Sequence, residues 1–134
     1  MSILVDSSVW IDYFNGRVTW ETDYLDQAVA TTRLYIGDLI LTELLQGFRQ
    51  QSDFEEARAA LERFSILSLV GKDNAILAAQ NYRTLRRQGI TIRNTIDCLI
   101  ATWCIANEFT LLHADRDFLP FEEYLGLTAF HPAG

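Results

Sequence analysis

The amino-acid sequence predicts an α/β domain built around a mostly parallel sheet. Short apolar runs alternate along the chain with longer segments whose apolar residues recur at helical spacing. The first run, Ile3–Val5, carries no polar side chain on either face, which is typical of a strand buried on both sides. Crossovers between parallel strands are right-handed, so the helices that connect them cover both faces of the sheet. We therefore expect about five short strands flanked by helices on both faces.

The composition indicates one domain over residues 1–134. A chain of 134 residues with 49% hydrophobic residues is long enough to bury a core. The sequence contains no internal repeat, low-complexity tract or linker, and both prolines fall within the last fifteen residues. The chain therefore gives no sign of a boundary between two domains.

The predicted strands are the short runs rich in Ile, Leu and Val. Runs of this kind fit the pleated and buried environment of a central sheet. In chain order they lie at residues 3–5, 33–36, 65–70, 110–113 and 127–130.

Polar residues at helix starts and glycine at a helix end delimit the first helices. Ser7 and Ser8 supply hydroxyls where the first helix begins, and Asn15-Gly16 ends it. Asp38 is the predicted N-cap of the third helix, which is apolar on nearly every side, as buried helices are. These predicted helices cover residues 8–14, 20–30 and 39–48.

The chain after residue 50 predicts three longer helices. Ser52 and Glu55 have the spacing of a capping box. Gly89 ends the next helix, and Thr95 is the predicted N-cap of the one that follows. The predicted ranges are 52–64, 73–88 and 95–107, followed by a helical turn at 122–125.

Charge and cysteine usage restrict the function classes. The formal net charge of −7 argues against a protein that holds nucleic acid by bulk electrostatics. Ten of the eleven basic residues are nevertheless Arg, the better side chain for forked contact with phosphate. Cys98 and Cys104 lie about 9 Å apart along one predicted helix, too far for a disulfide, so we expect both to be buried small side chains.

The sequence predicts a cytoplasmic protein with no membrane association. No apolar run approaches the roughly 20 residues that a membrane-spanning helix needs. The amino terminus lacks a basic segment followed by a long apolar stretch, so no signal peptide is visible.

Two acids lie beside or within apolar segments, where a buried charge needs a partner. Asp6 follows the first strand, and carboxyl ends of central strands face the crevice where α/β sheets bind ligands. An N-cap is the ordinary role of such an Asp. Glu43 lies inside an apolar helix, where an ionised carboxylate without a partner would cost several kcal/mol or more. Either an Arg partner or a metal ion could compensate it.

Three further acids follow later in the chain. Asp97 falls in the first turn of a predicted helix, where the helix dipole favours a carboxylate. Asp115 and Asp117 follow the fourth predicted strand, where a solvated turn would also explain them. If the first and fourth strands are neighbours, Asp6 and Asp115 emerge side by side.

A cluster of these acids would make physical sense chiefly as a site for a hard cation. Two charges about 5 Å apart at an effective dielectric of 20 repel by roughly 3 kcal/mol. Mg²⁺ or Mn²⁺ prefers such oxygen ligands. Bound Mg²⁺ can activate water and neutralise phosphoryl charge, as phosphodiester cleavage requires.

Four segments together resemble the PIN-domain family, and within it the VapC toxins of prokaryotic toxin–antitoxin pairs. They are Val5-Asp6-Ser7-Ser8, the Glu of the apolar helix, Ile96-Asp97-Cys98-Leu99-Ile100-Ala101 and Leu112-His113-Ala114-Asp115-Arg116-Asp117-Phe118. The resemblance implies a PIN-like fold and a Mg²⁺-dependent endoribonuclease that hydrolyses RNA. The catalytic and metal-binding acids that it implies are Asp6, Glu43, Asp97 and Asp115, with Asp117 as an auxiliary ligand.

The resemblance also implies a supporting residue and partners. Ser8 matches a hydroxyl that supports the acidic pocket. Family members form homodimers and are silenced by a cognate VapB antitoxin whose tail covers that pocket.

Arg93, one turn before Asp97, and Arg116, between the last two acids, are the predicted phosphate contacts. His113 is assigned no role.

Three other functions are alternatives to this prediction. A phosphatase of the haloacid dehalogenase type needs a second Asp two residues after the first, where Ser8 stands. A response-regulator receiver needs a Lys late in the chain, whereas Lys72 is mid-chain. A non-catalytic PIN adapter that binds RNA or a protein without cutting stays open, with the intact set of acids against it. The RNA cleaved, DNA as a substrate, the number of ions and the dimer surface also stay open.

Overall fold

The computed structural model describes residues 2–131 as a parallel sheet with helices packed against it. The strands are β1 (Ile3–Val5), β2 (Leu34–Gly37), β3 (Ser65–Leu67) and β4 (Thr110–Leu112). The first four helices are α1 (Ser7–Phe14), α2 (Trp20–Thr31), α3 (Asp38–Leu45) and α4 (Gln51–Leu61). After β3 come α5 (Lys72–Arg87), α6 (Thr95–Asn107), a 3₁₀ helix (Arg116–Phe118) and α7 (Leu119–Leu125).

The strand β1 lies in the interior of the sheet, whose strand order is β3-β2-β1-β4. It pairs in parallel with β2 and with β4, in a register that sets Ile3 opposite Leu34 and Val5 opposite Leu112. All three residues of β1 are fully buried, as their unbroken apolar pattern predicts. The predicted α/β class, the parallel pairing and the flanking helices are confirmed.

The sheet has four strands where the sequence predicts about five. The segment predicted as the last strand, residues 127–130, makes only an isolated parallel bridge between Leu111 and Ala129. Leu111 donates its N–H to Thr128 O at 2.9 Å, and Phe130 donates its N–H to Leu111 O at 3.0 Å. Because this contact involves a single residue of β4, the segment does not extend into a full strand.

The third strand is shorter than its predicted range of 65–70, because the chain leaves the sheet before the last three of these residues. β3 stops at Leu67, and Leu69 is fully buried beyond it. The Asp38 carboxylate accepts hydrogen bonds from the Leu39 N–H at 2.8 Å and the Leu69 N–H at 3.0 Å. Asp38 therefore ties the chain after β3 to the start of α3. It is the first residue of α3 rather than its N-cap, a position that Gly37 occupies, so the predicted cap is wrong.

Two other predicted caps are also wrong by one or two residues. Asn94, not Thr95, caps α6, and its Oδ1 accepts from the Ile96 N–H at 2.9 Å. In α4 the N-cap is Gln50, and Glu55 accepts from Gln51 Nε2 rather than closing a box with Ser52. In each case a neighbouring amide-bearing side chain stands where a hydroxyl was expected.

The helix α3 is less buried than its apolar composition predicts. Only Ile40 and Leu44 are buried, while the other side chains of this helix are half-buried or exposed. Glu43 is among the half-buried ones, so its carboxylate is reachable from outside the core.

Cys98 and Cys104 are buried and unpaired within the described chain, as predicted. Among residues 2–131, no helix has both the length and the apolar character of a membrane span.

The close approach of β2 to Leu69 requires glycine at position 37. A Cβ added at Gly37 would overlap the buried Leu69 side chain, at its Cγ and Cδ1 atoms. At Gly47, by contrast, an added Cβ would only touch Leu44 O at 3.5 Å, an ordinary contact.

We expect Gly37→Ala to lower the free energy of unfolding by about 1–3 kcal/mol, because the extra methyl group overpacks the core at Leu69. Chemical denaturation followed by circular dichroism measures the change. Gly47→Ala is the matched control and should shift stability by less than about 1 kcal/mol. Equal effects of the two substitutions would contradict the close approach at Gly37.

Candidate active site

Parallel pairing of β1 with β4 brings two acids to the same edge of the sheet. Asp6 is the first residue after β1, and its N–H donates to Leu112 O at 2.9 Å, which extends the ladder by one bond. Asp115 follows β4 by three residues and caps the 3₁₀ helix. The predicted juxtaposition of the first and fourth strands is therefore what the structure shows.

Three of the predicted acids form a compact group. Asp97, Asp115 and Asp117 each offer one carboxylate oxygen, and these oxygens lie within 4.8 Å of one another. Asp97 comes from the first turn of α6 and is only 6% exposed, while the other two are half-buried. Oxygen atoms at this spacing suit a divalent cation.

Asp6 lies beside this group and carries an unsatisfied oxygen. The residue is 2% exposed, and its Oδ2 accepts from Ser8 N–H at 3.0 Å and from Ser8 Oγ at 2.6 Å. Asp6 is thus the N-cap of α1, as the ordinary reading of its position expects. Among residues 2–131, no group donates to its buried Oδ1. A buried carboxylate oxygen without a partner is costly, and a cation would satisfy it.

Ser8 connects the two halves of the site. Its hydroxyl donates to Asp6 Oδ2 and accepts from the Ala114 N–H at 3.0 Å. The start of α1 is therefore joined to the loop that leads to Asp115. The supporting role of the Ser8 hydroxyl stays a prediction, to which these two hydrogen bonds add a geometric basis.

Glu43 faces the same region from α3, outside the compact group of three. Its Oε1 accepts from Ser7 Oγ at 3.3 Å, and Ser7 follows Asp6 in the chain. Desolvation raises the pKa of Glu43, and the charges of Asp6 and Asp115 raise it further against the opposing Ser7 hydrogen bond. Glu43 pairs with a hydroxyl rather than with an Arg, so the ion-pair explanation for this carboxylate does not apply among the described residues.

The acids repel one another most strongly at Asp97. Burial raises its pKa from 3.8 to about 7, with added contributions from the charges of the other four acids. The same burial raises the pKa of Asp6, opposed by its hydrogen bonds to Ser8. All five predicted acids are therefore within electrostatic reach of one pocket.

Arg93 and Arg116 are the arginines predicted to contact phosphate. Arg93 and Arg116 are exposed, and neither takes part in an ion pair within the described chain. Arg116 begins the 3₁₀ helix between two of the acids. On α5, the Arg86 guanidinium lies 5.7 Å from the Tyr82 ring centre, which is a contact along its own helix.

Sequence reasoning missed two polar residues beside the acids. Ser7 contacts Glu43, and His113 accepts from the Asp115 N–H through Nδ1 at 3.2 Å. The hydroxyl of Ser7 could have been noticed from its place next to Asp6. His113 gives no signal in the sequence, because its role depends on a partner from α7.

An apolar groove opens next to Glu43 between α1, α3 and α4. One cavity of about 290 Å³ is lined in part by Ile11, Phe14, Glu43 and Phe48. A second cavity of about 380 Å³ continues past the same two Phe side chains to Asp53, Glu56 and Ala57. This surface, called here the α1–α4 groove, combines exposed aromatic carbon with acidic rims.

Comparison with known proteins agrees with this fold. A family model for the PIN domain matches residues 3–123. The chain is 31% identical to ribonuclease VapC11 of Mycobacterium tuberculosis over 122 residues, which cover 87% of this chain and 88% of that protein.

Solved structures of lower identity share the fold. VapBC2 from Rickettsia felis, in a crystal with a DNA fragment from its promoter, superposes with a TM-score of 0.75 at 20% identity, covering 97% of this chain and 98% of its own. VapBC-1 from nontypeable Haemophilus influenzae gives a TM-score of 0.73 at 19% identity and covers 97% of both chains. With a family model over residues 3–123 and a curated relative matched along most of its length, the chain belongs to the PIN domain family and is a VapC-type member of it.

Proposed function

We propose that this chain is a Mg²⁺-dependent endoribonuclease and the toxin of a cytoplasmic toxin–antitoxin pair. The observation that carries the proposal is the convergence of three carboxylates, from Asp97, Asp115 and Asp117, beside the unsatisfied buried oxygen of Asp6. RNA is the proposed substrate because the curated relatives of 31% identity are named ribonucleases.

The five acids divide into two groups in this proposal. Asp97, Asp115 and Asp117 hold the ion directly, since their oxygens already lie at a mutual spacing that suits it. Asp6 and Glu43 complete the site, held in place by Ser8 and Ser7, and the unsatisfied Oδ1 of Asp6 is available to the same ion. Asp117 therefore takes a larger share of the site than the auxiliary role that the resemblance implies.

Mg²⁺ fits this donor set because it prefers carboxylate oxygens and retains several waters, and Mn²⁺ fits it for the same reason. When bound, the ion supplies activation of water and neutralisation of charge on the scissile phosphate. Hydrogen bonds from Ser7 and Ser8 hold Glu43 and Asp6 in place, and Arg93 and Arg116 would contact phosphates of the RNA backbone. Both guanidinium groups are exposed and uncommitted within the described chain, so they can pair with phosphate.

We expect Mg²⁺-dependent cleavage of structured RNA that EDTA abolishes. Asp97→Asn should reduce the cleavage rate at least a hundredfold, because it removes a charge from the centre of the acid group. Gel analysis of end-labelled RNA measures the rate. Asp73→Asn, which removes an exposed acid from the first turn of α5, is the matched control and should leave the rate unchanged. A protein that binds RNA but leaves it intact with Mg²⁺ would instead be a non-catalytic adapter.

The burial of Asp97, together with the charges of the other acids, predicts how stability depends on pH without metal. The pKa of Asp97 rises from 3.8 to about 7 on folding, so the folded state binds more protons between these values. Stability must then fall as pH rises through that window, by an amount on the order of a few kcal/mol.

We expect the metal-free protein to be more stable at pH 5 than at pH 8, and Asp97→Asn to flatten this difference and to raise stability at pH 8. Thermal unfolding followed by circular dichroism measures both effects. Mg²⁺ at about ten times its dissociation constant should add about 1.4 kcal/mol to the wild type and less to the variant. A wild-type protein whose unfolding ignores both pH and Mg²⁺ would contradict the proposed site.

The proposed antitoxin lies in the α1–α4 groove. The solved neighbours include toxin–antitoxin complexes, and the groove offers apolar pockets at Phe14 and Phe48. Its rims carry Asp53 and Glu56, and its inner end carries Glu43. This pattern is complementary to a segment with apolar anchors and basic side chains, which would place a cation against Glu43 and cover the acids. In its free form we propose that the chain is a homodimer.

Ile11→Lys should weaken capture of the antitoxin at least tenfold, because it places a like charge at an exposed groove position, 45% accessible in the free chain. Co-purification with the product of a small reading frame immediately upstream, where one is present, followed by titration calorimetry, measures the loss. Val29→Lys changes an equally exposed apolar residue on α2 and serves as the control. Unaltered binding by Ile11→Lys would place the partner on another surface.

A further inference from the structure

His113 follows β4 directly, and its two ring nitrogens have different partners. The residue is 8% exposed and packs against the Phe118 ring, with ring centroids 4.9 Å apart. Its Nε2 lies 2.7 Å from Glu122 Oε2, and its Nδ1 lies 3.2 Å from the backbone nitrogen of Asp115.

These two contacts require the same form of the imidazole. An ionised carboxylate only accepts hydrogen bonds, so the proton at this end is on Nε2. The Asp115 N–H only donates, so Nδ1 must be bare. Both conditions are met by the neutral tautomer protonated at Nε2, and Glu122 is the group that selects it.

Glu122 also contacts a second imidazole, which is largely exposed. Its Oε1 lies 2.9 Å from His131 Nε2, so the carboxylate bridges two imidazoles. Glu122 belongs to α7, and His131 lies beyond the segment that crosses the edge of β4. Glu122, on α7, therefore fixes the orientation of the His113 ring from outside the acid group.

The other groups of Asp115 are also fixed by hydrogen bonds. Its Oδ1 accepts from the Asp117 N–H at 2.9 Å, and its carbonyl oxygen accepts from the Phe118 N–H at 3.2 Å. Because His113 also holds the Asp115 N–H, these bonds fix the positions of the Asp115 backbone and of its Oδ1. Oδ2 is then the oxygen that is left to face a cation.

We propose that His113 is a positioning residue, which holds the Asp115 carboxylate in its ligating orientation through the Nδ1 acceptor that Glu122 maintains. This inference rests on the proposed metal-dependent ribonuclease and adds a residue to its machinery. Partners that orient metal ligands from outside typically contribute 10–100-fold to metal affinity or activity. A purely structural role would instead tie α7 to β4 and leave the metal site unaffected.

Two substitutions separate these roles because each keeps one of the two nitrogen functions. In His113→Asn the amide oxygen takes the place of Nδ1 and can still accept from Asp115. In His113→Gln the amide nitrogen takes the place of Nε2 and can still donate to Glu122. His131→Gln is the matched control, since it also changes a histidine that contacts Glu122 but lies away from Asp115.

The measurements are Mn²⁺ affinity by calorimetry, the cleavage rate of saturating RNA with Mg²⁺, and thermal unfolding of each variant. We expect His113→Asn to stay within about threefold of the wild type in Mn²⁺ affinity and rate. His113→Gln should lose 10–100-fold in both, even where its unfolding temperature equals that of His113→Asn. His131→Gln should match the wild type.

Equal metal affinity and rate in the Asn and Gln variants, or a larger loss in the Asn variant, would overturn the inference. A wild-type protein that neither binds Mn²⁺ nor cuts RNA would instead refute the proposed function. A second measurement needs no substitution: ¹⁵N NMR of histidine-labelled wild type should show His113 protonated at Nε2 and bare at Nδ1. The opposite tautomer would also overturn the inference.

Discussion

The parallel pairing of β1 with β4 is the constraint on which the site depends. The register that sets Val5 opposite Leu112 makes both strands end at one level, and the bond from the Asp6 N–H to Leu112 O extends that match by one residue. A carboxylate placed after either strand must then enter the same crevice. Because side chains alternate along a strand, a slip of one residue would turn the buried residues of β1 to the opposite face and move Asp6 with them.

The second determinant of the site is the stability that the protein loses by gathering like charges in a largely buried pocket. Asp6 and Asp97 are almost fully buried, and burial is the largest cause of the raised pKa of each. Hydroxyl groups from Ser7 and Ser8 reduce this cost without neutralising the charge. Such an arrangement is typical of functional sites, where local rules of stability are broken for chemistry.

Particular elements show how far the sequence predicts this molecule. The unbroken apolar pattern of Ile3–Val5 is enough to predict a central strand, because only a strand covered on both faces tolerates it. The positions of Asp6 and Asp115 after strands are likewise enough to predict that they meet, once those strands are neighbours. The exposure of α3 is not predictable in the same way, because helical spacing identifies a face but not whether another element covers it.

The roles of Asp38 and His113 lie further beyond sequence reasoning, because a distant partner decides each of them. Asp38 looks like a cap until Leu69, 31 residues away, donates to it. His113 looks like an ordinary strand-end residue until Glu122 fixes its tautomer. Short-range patterns contain no information about such partners, so only the three-dimensional arrangement assigns these roles.

The segment that touches Leu111 has a consequence for the behaviour of the sheet as a whole. Residues 128–130 cross the outer side of β4 and hydrogen-bond to part of its edge. Without them, the unpaired backbone groups of that edge could pair with a strand of another chain. The opposite margin, at β3, ends the sheet with only β2 beside it and with Ile66 open to solvent. Self-association through strand pairing would therefore begin at β3. Truncation of the chain before residue 128 would expose the edge of β4, next to the acids, as a second place for such pairing.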